Sequence, residues 1–142
     1  MKSKDAFIQE ILKDIYNLPN PKLEESRKIQ IKAVIDNAIN GDDIKEHLSI
    51  DVLVNQQTYI YVYVLTEKRL VVFAISPQNK VNSNSFSLQE MQKVNFNSPE
   101  PAQMSIEIVL SNGNSFGLKY SEDNKKITSF FQKLDQQLIN KA

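Results

Sequence analysis

A chain of 142 residues holds one domain's worth of sequence, long enough to bury a real hydrophobic core. Its 17 basic and 17 acidic residues cancel and are interspersed, so the basic footprint of a general nucleic-acid binder is missing. With no cysteine there is neither a disulfide framework nor a thiolate zinc site, and no apolar run is long enough for a membrane-spanning helix.

The N-terminus MKSKDAFIQEILKD carries acids within its apolar stripe and lacks the apolar core of a signal peptide, so a cytoplasmic protein is expected. Lysine outnumbers arginine and asparagine is abundant, a composition that points to a bacterial or phage source. Ile8, Ile11, Leu12 and Ile15 fall at i, i+3, i+4 and i+7, predicting an amphipathic helix over residues 3–18 with Ser3 as its cap and Pro19 as its stop. A second helix is expected to follow at once. Asn20 would cap it, Pro21 would sit in its first turn, Glu24 and Glu25 would complement its dipole, and Asn40-Gly41 would end it.

After Gly41 the period changes from 3.6 to two. Seven extended segments are predicted, at about 46–54, 58–66, 69–76, 84–88, 93–97, 104–111 and 115–120, separated by polar or turn residues as in an antiparallel meander. A closing helix starts after Ser121, with Glu122 and Asp123 in its first turn and a wide stripe of Ile127, Phe130, Phe131, Leu134 and Leu138. For the last hairpin, a three-residue loop Asn112-Gly113-Asn114 sets Leu110 beside Phe116, Ile108 beside Leu118 and Ile106 beside Tyr120, with Asn114 supplying a positive φ.

The hairpin TYIYVYVLTEKRLVVFAIS, residues 58–76, is apolar on both faces. Turning at Glu67-Lys68, it pairs Val64 with Val71, Val62 with Phe73 and Ile60 with Ile75 on a face assigned to the core. The second face pairs Leu65 with Leu70, Tyr63 with Val72, Tyr61 with Ala74 and Tyr59 with Ser76. Three exposed tyrosines would approach the largest apolar patch usual on a monomer, so a cover is expected. The two N-terminal helices are the expected cover; a second copy of the chain, or a ligand or partner lying on Tyr59, Tyr61 and Tyr63, are the alternatives.

Catalytic chemistry is hard to assemble from this sequence. His47 is the single histidine, which leaves no histidine pair for a metal or a base and its orienter, so a surface or packing role is expected for it. Asp42-Asp43 reads as a solvated turn after a helix-ending glycine. No serine lies in G-x-S-x-G, and three glycines, at 41, 113 and 117, make no phosphate-cradling loop. The expectation is no enzyme, no cofactor, no metal and no catalytic residue.

Val64-Leu65-Thr66-Glu67-Lys68-Arg69-Leu70-Val71, with T-x-K-R-L at the hairpin turn, is one half of a pattern. Phe86-Ser87-Leu88-Gln89-Glu90-Met91, Val94, the alternation Ile106-Glu107-Ile108-Val109-Leu110, Asn112-Gly113, Phe116 and the final helix complete it. Together they resemble the bacterial pleckstrin-homology-like domains, in particular the YokE-like group, over about residues 44–140. The resemblance implies an α+β fold, a pleckstrin-homology-like antiparallel β-sandwich or partly open barrel of about seven strands closed by a C-terminal helix. Residues 1–41 would form a helical pair packed on a β domain of residues 42–142. It also implies a non-catalytic interaction module that binds a protein or peptide partner, by β-addition or in a groove beside the C-terminal helix, with self-association open.

Members that bind phosphoinositides hold the phosphates with basic residues in or near the first inter-strand loop. Here that loop is Asn55-Gln56-Gln57, and the loop Ser76-Pro77-Gln78-Asn79-Lys80 adds one cation, which argues against phosphoinositide binding. The alternative is peripheral membrane or small-ligand binding at the open end through Asn55, Gln56, Gln57, Asn79 and Lys80.

Overall fold

The structure is a computed structural model and describes residues 3–19, 21 and 23–140. Helices α1 (Lys4–Tyr16) and α2 (Lys28–Ile39) precede seven strands, and helix α3 (Lys125–Asn140) follows them. The strands are β1 (Ile44–Val54), β2 (Gln57–Thr66), β3 (Arg69–Ile75), β4 (Val81–Ser87), β5 (Met91–Glu100), β6 (Gln103–Leu110) and β7 (Ser115–Ser121). They form two antiparallel sheets ordered β1-β2-β3-β4 and β5-β6-β7, neither closed into a barrel. The chain divides into two compact units, one ending at Ser85 and one beginning at Phe86.

In the first unit, Ser3 caps α1 by accepting from the Ala6 N–H at 3.2 Å, and the predicted stripe Ile8, Ile11, Leu12 and Ile15 is buried. The second helix starts later than its sequence implies. A 3₁₀ turn over Glu25–Arg27 leads into α2 at Lys28, so Pro21 precedes the helix rather than opening it. Tertiary hydrogen bonds explain the delay: the Tyr16 hydroxyl donates to the Glu24 carbonyl at 2.9 Å, and the Glu24 N–H donates to Asn79 Oδ1 at 3.0 Å. Both hold Glu24 extended, at φ −75° and ψ 131°. The cap expected at Asn20 lies outside the described residues. At the other end Asn40 (φ 22°) and Gly41 (φ 85°) stop α2 in the left-handed region.

The register of β2 on β3 places Ile60 on Ile75, Val62 on Phe73, Val64 on Val71, Tyr61 on Ala74, Tyr63 on Val72 and Leu65 on Leu70. The stripes of α1 and α2 pack on the Ile60, Val62, Val64, Val71, Phe73 and Ile75 face, with Ile44 of β1 in the same cluster. Burying side chains of this size stabilises by roughly 1.5–3 kcal/mol each, which fixes the helices to this face.

In the second unit, β6 pairs with β5 and β7, and Ile106 and Ile108 are buried on one face. The last hairpin is displaced from its expected register: Ile108 lies opposite Phe116, Ile106 opposite Leu118 and Met104 opposite Tyr120. The loop is Ser111-Asn112-Gly113. The Gly113 N–H donates to the Leu110 carbonyl (3.0 Å), and the Leu110 N–H donates to the Asn114 carbonyl (2.8 Å). Gly113, at φ 91°, takes the left-handed position expected for Asn114.

Strand β4 begins at Val81 instead of residue 84, and Leu88 lies in a 3₁₀ turn, Leu88–Glu90, rather than in a strand. Helix α3 begins at Lys125, because the Glu122 N–H donates to the Ala102 carbonyl (3.0 Å) and keeps residues 122–124 in a turn. Its stripe Ile127, Phe130, Phe131, Leu134 and Leu138 is buried, as its spacing predicts.

Candidate functional site

The tyrosine row sits on the face of the first sheet opposite α1 and α2. Tyr63 lies across from Leu48 and Val72, Tyr61 from Ile50 and Ala74, and Tyr59 from Val52. The N-terminal helices therefore do not cover it, contrary to the sequence expectation. The cause is that both faces are apolar, and the helices bind the face whose branched aliphatic side chains lack hydroxyl tips. Tyr63 is nonetheless buried, at 7% exposure, whereas Tyr59 and Tyr61 are half-buried. Burial pushes the Tyr63 hydroxyl up to about 12, and Tyr61 beside it adds to the rise.

The turn Thr66-Glu67-Lys68-Arg69 anchors the end of α2. Arg69 Nε donates to Asp42 Oδ2 at 2.7 Å, and Nη2 donates to the Ala38 and Ile39 carbonyls at 2.6 and 3.1 Å. These carbonyls belong to the last turn of α2, where a cation also meets the negative end of the helix dipole. Its Nη1 donates to Ser85 Oγ at 3.2 Å. Thr66 is fully buried, and its hydroxyl accepts from the Lys68 and Arg69 N–H groups, both at 3.1 Å, while lying 3.1 Å from Asp42 Oδ2. Glu67 accepts from the Asp43 N–H at 2.7 Å. Asp42 and Asp43, expected in a solvated turn, are thus the partners of this hairpin, a long-range pairing with no local sequence signal.

Residues Asn55, Gln56, Gln57, Asn79 and Lys80 lie at one end of the four-stranded sheet, because the β1–β2 and β3–β4 turns share that end. Asn55 (φ 50°) and Gln56 (φ 65°) form the two-residue turn, and Gln57 opens β2. The Asn79 amide is committed at both ends, with Oδ1 accepting from the Glu24 N–H and Nδ2 donating to the Pro77 carbonyl at 3.2 Å. Lys80 is exposed.

His47 serves packing. It stands edge-on to Phe7 at 6.2 Å, with Nε2 3.1 Å from Glu10 Oε2 and Nδ1 3.6 Å from Asp14 Oδ2, so that β1 meets α1 there. Among the described residues no group of three metal-ligating side chains comes together.

The geometry that can receive a chain segment is in the second unit. Strand β5 is an edge of its three-stranded sheet, and α3 packs along it. Register irregularities bracket the regular run Lys93–Asn97. Along that run Val94 and Phe96 face with Ile108 and Ile106, while Lys93, Asn95 and Asn97 lie on the other face. The Asn95 amide donates to Glu107 Oε1 at 3.2 Å, and the Tyr120 hydroxyl is 2.6 Å from Thr128 Oγ1, which ties β7 to the start of α3. An edge strand presents alternate backbone N–H and C=O groups outward, ready to pair with another chain. No described helix is long and apolar enough to cross a membrane.

No protein-family model matches the chain, and no curated protein matches its sequence. Among solved structures it is similar to the C-terminal domain of an unknown protein from Leishmania infantum. That likeness has a TM-score of 0.55 and 12% identity over 78% of this chain and 99% of the other. It is also similar to the hSac2 domain from human phosphoinositide phosphatase Sac2, with a TM-score of 0.53 and 11% identity over 96% of this chain and 84% of the other. Together with the strand orders and the C-terminal helix, these likenesses give the fold as α+β and pleckstrin-homology-like.

Proposed function

We propose that the chain is a non-catalytic, cytoplasmic interaction module, related to the YokE-like group of bacterial pleckstrin-homology-like domains. It binds an extended segment of a protein partner by adding it to β5 beside α3. The observation that carries the reading is the regular edge run Lys93–Asn97 lying along a helix. An added strand would gain main-chain hydrogen bonds from β5, with alternate side chains directed toward α3 for specificity. The T-x-K-R-L turn supports the group assignment, with Arg69 bound to the end of α2.

The test is a proline scan of residues 93–97, read against a partner recovered by affinity capture. At alternate positions the N–H faces away from β6, so proline there leaves the fold intact and removes a hydrogen bond to the partner. Loss of capture at those positions supports β-addition. Recovery of no partner, or equal capture by every folded proline variant, overturns it. The competing reading is peripheral membrane or small-ligand binding, favoured by the shared end of the Asn55-Gln56 and Pro77–Asn79 turns. Lys80 is the one cation in those two loops, so this reading requires binding to anionic vesicles at low salt, where attraction is strongest.

A further inference from the structure

In the first unit a cavity of about 250 Å³ opens between Pro21 and Leu23 on one side and the end of the four-stranded sheet on the other. Ile60 and Ile75, both 1% exposed, are its most buried lining residues, and Leu23 and Pro77 are apolar walls. Thr58 and Ser76 supply its hydroxyls. Two of these walls are fastened to each other: the Glu24 N–H beside Leu23 donates to Asn79 Oδ1, and the Asn79 amide donates to the Pro77 carbonyl. The cavity is therefore formed without a ligand, which spares a bound molecule the cost of ordering its site.

We infer that this cavity is a binding site for a free, neutral, mainly apolar molecule of about one aromatic ring that carries one hydroxyl or carbonyl group. Size sets the first limit. A cavity of about 150 Å³ lined by aliphatic and aromatic side chains holds benzene, and the larger volume here leaves room for a substituent. Charge sets the second. The described lining residues are all uncharged, and a neutral molecule suits that lining. Hydrogen bonding sets the third. Asn79 Oδ1 and one Asn79 N–H are used, and Ser76 Oγ accepts from the Lys80 N–H at 3.2 Å, so the second Asn79 N–H and the Ser76 and Thr58 hydroxyls are the donors that can meet a ligand oxygen. The inference concerns a face and a unit different from those of β5 and stands apart from the strand-addition reading.

The experiment is an NMR titration of the full ¹⁵N-labelled chain with phenol, toluene and inorganic phosphate. Phenol is expected to give saturable shifts confined to Leu23, Thr58, Ile60, Ile75, Ser76 and Asn79, with a Kd of about 1 mM or below, as for a fragment of seven heavy atoms. Phosphate is expected to give none. Thr58→Val should weaken phenol about 5-fold, one ordinary hydrogen bond, and leave toluene unchanged. Leu23→Trp, on the wall, should fill the space and abolish both. Absent or scattered phenol shifts, phosphate shifts at these residues, or phenol binding that survives in folded Leu23→Trp would overturn the inference. The wild-type titration decides alone where a variant does not fold.

Discussion

Replacing Arg69 by methionine removes the hub that joins the β2–β3 hairpin to α2. The arginine side chain is 27% exposed and its partner Asp42 is 11% exposed, so the pair is screened only in part. Methionine keeps the length of the stem and loses every guanidinium hydrogen bond. Each hydrogen bond to a charged group is worth about 1.5–3 kcal/mol and one-sided removal of a buried pair about 3–5 kcal/mol. Part of that is returned because water can reach the exposed side, which leaves an expected loss of about 3 kcal/mol. Arg69→Lys retains the charge near Asp42 but not the fork that reaches the Ala38 and Ile39 carbonyls, and should cost about half as much. Urea unfolding followed by far-UV circular dichroism reads both. With a slope of about 2 kcal/mol per molar, the midpoint should fall by about 1.5 M in the methionine variant. A loss below about 0.5 kcal/mol, or equal losses for lysine and methionine, would refute the argument that the fork geometry matters.

Gln56 holds φ 65° in the second position of the Asn55-Gln56 turn, so Gln56→Gly should raise stability by about 1 kcal/mol in the same urea assay. A Cβ at Gly117 would run into the Ile106 carbonyl oxygen, so Gly117→Ala should destabilise by more than about 2 kcal/mol and lower the thermal midpoint. The Tyr63 hydroxyl is held up at about 12 against an unfolded value of 10.0, so its stabilisation is complete below pH 10 and is lost as pH rises toward 12. Two units correspond to about 3 kcal/mol over that window, and Tyr63→Phe should flatten the stability–pH curve there. Ultraviolet titration should show one tyrosine ionising late in the wild type and none so late in the variant.

Much of the fold can be read from side-chain pattern because β2 and β3 are apolar on both faces and only one register matches them pair by pair. The same two-sided character hid the packing of the helices, since the stripe Ile8, Ile11, Leu12 and Ile15 suits either face. In the last hairpin a slip of two residues keeps every apolar side chain on its face, so hydrophobic matching could not choose. The deciding term was the φ of 91° that Gly113 accepts at low cost. Strand β4, Val-Asn-Ser-Asn-Ser-Phe-Ser, has too few apolar residues to show a period, and its pairing comes from β3 beside it. At the candidate site the edge run 93–97 was legible as a strand. Its edge position was not, because strand order depends on contacts between residues far apart in sequence.

The most direct test of the strand-addition account is amide hydrogen exchange of the full chain with and without a segment of its captured partner. Strand addition at β5 brings new protection at alternate amides of residues 93–97, with shifts along the neighbouring face of α3. Protection confined to residues 54–57 and 79–80, with 93–97 exchanging as in the free chain, would contradict it.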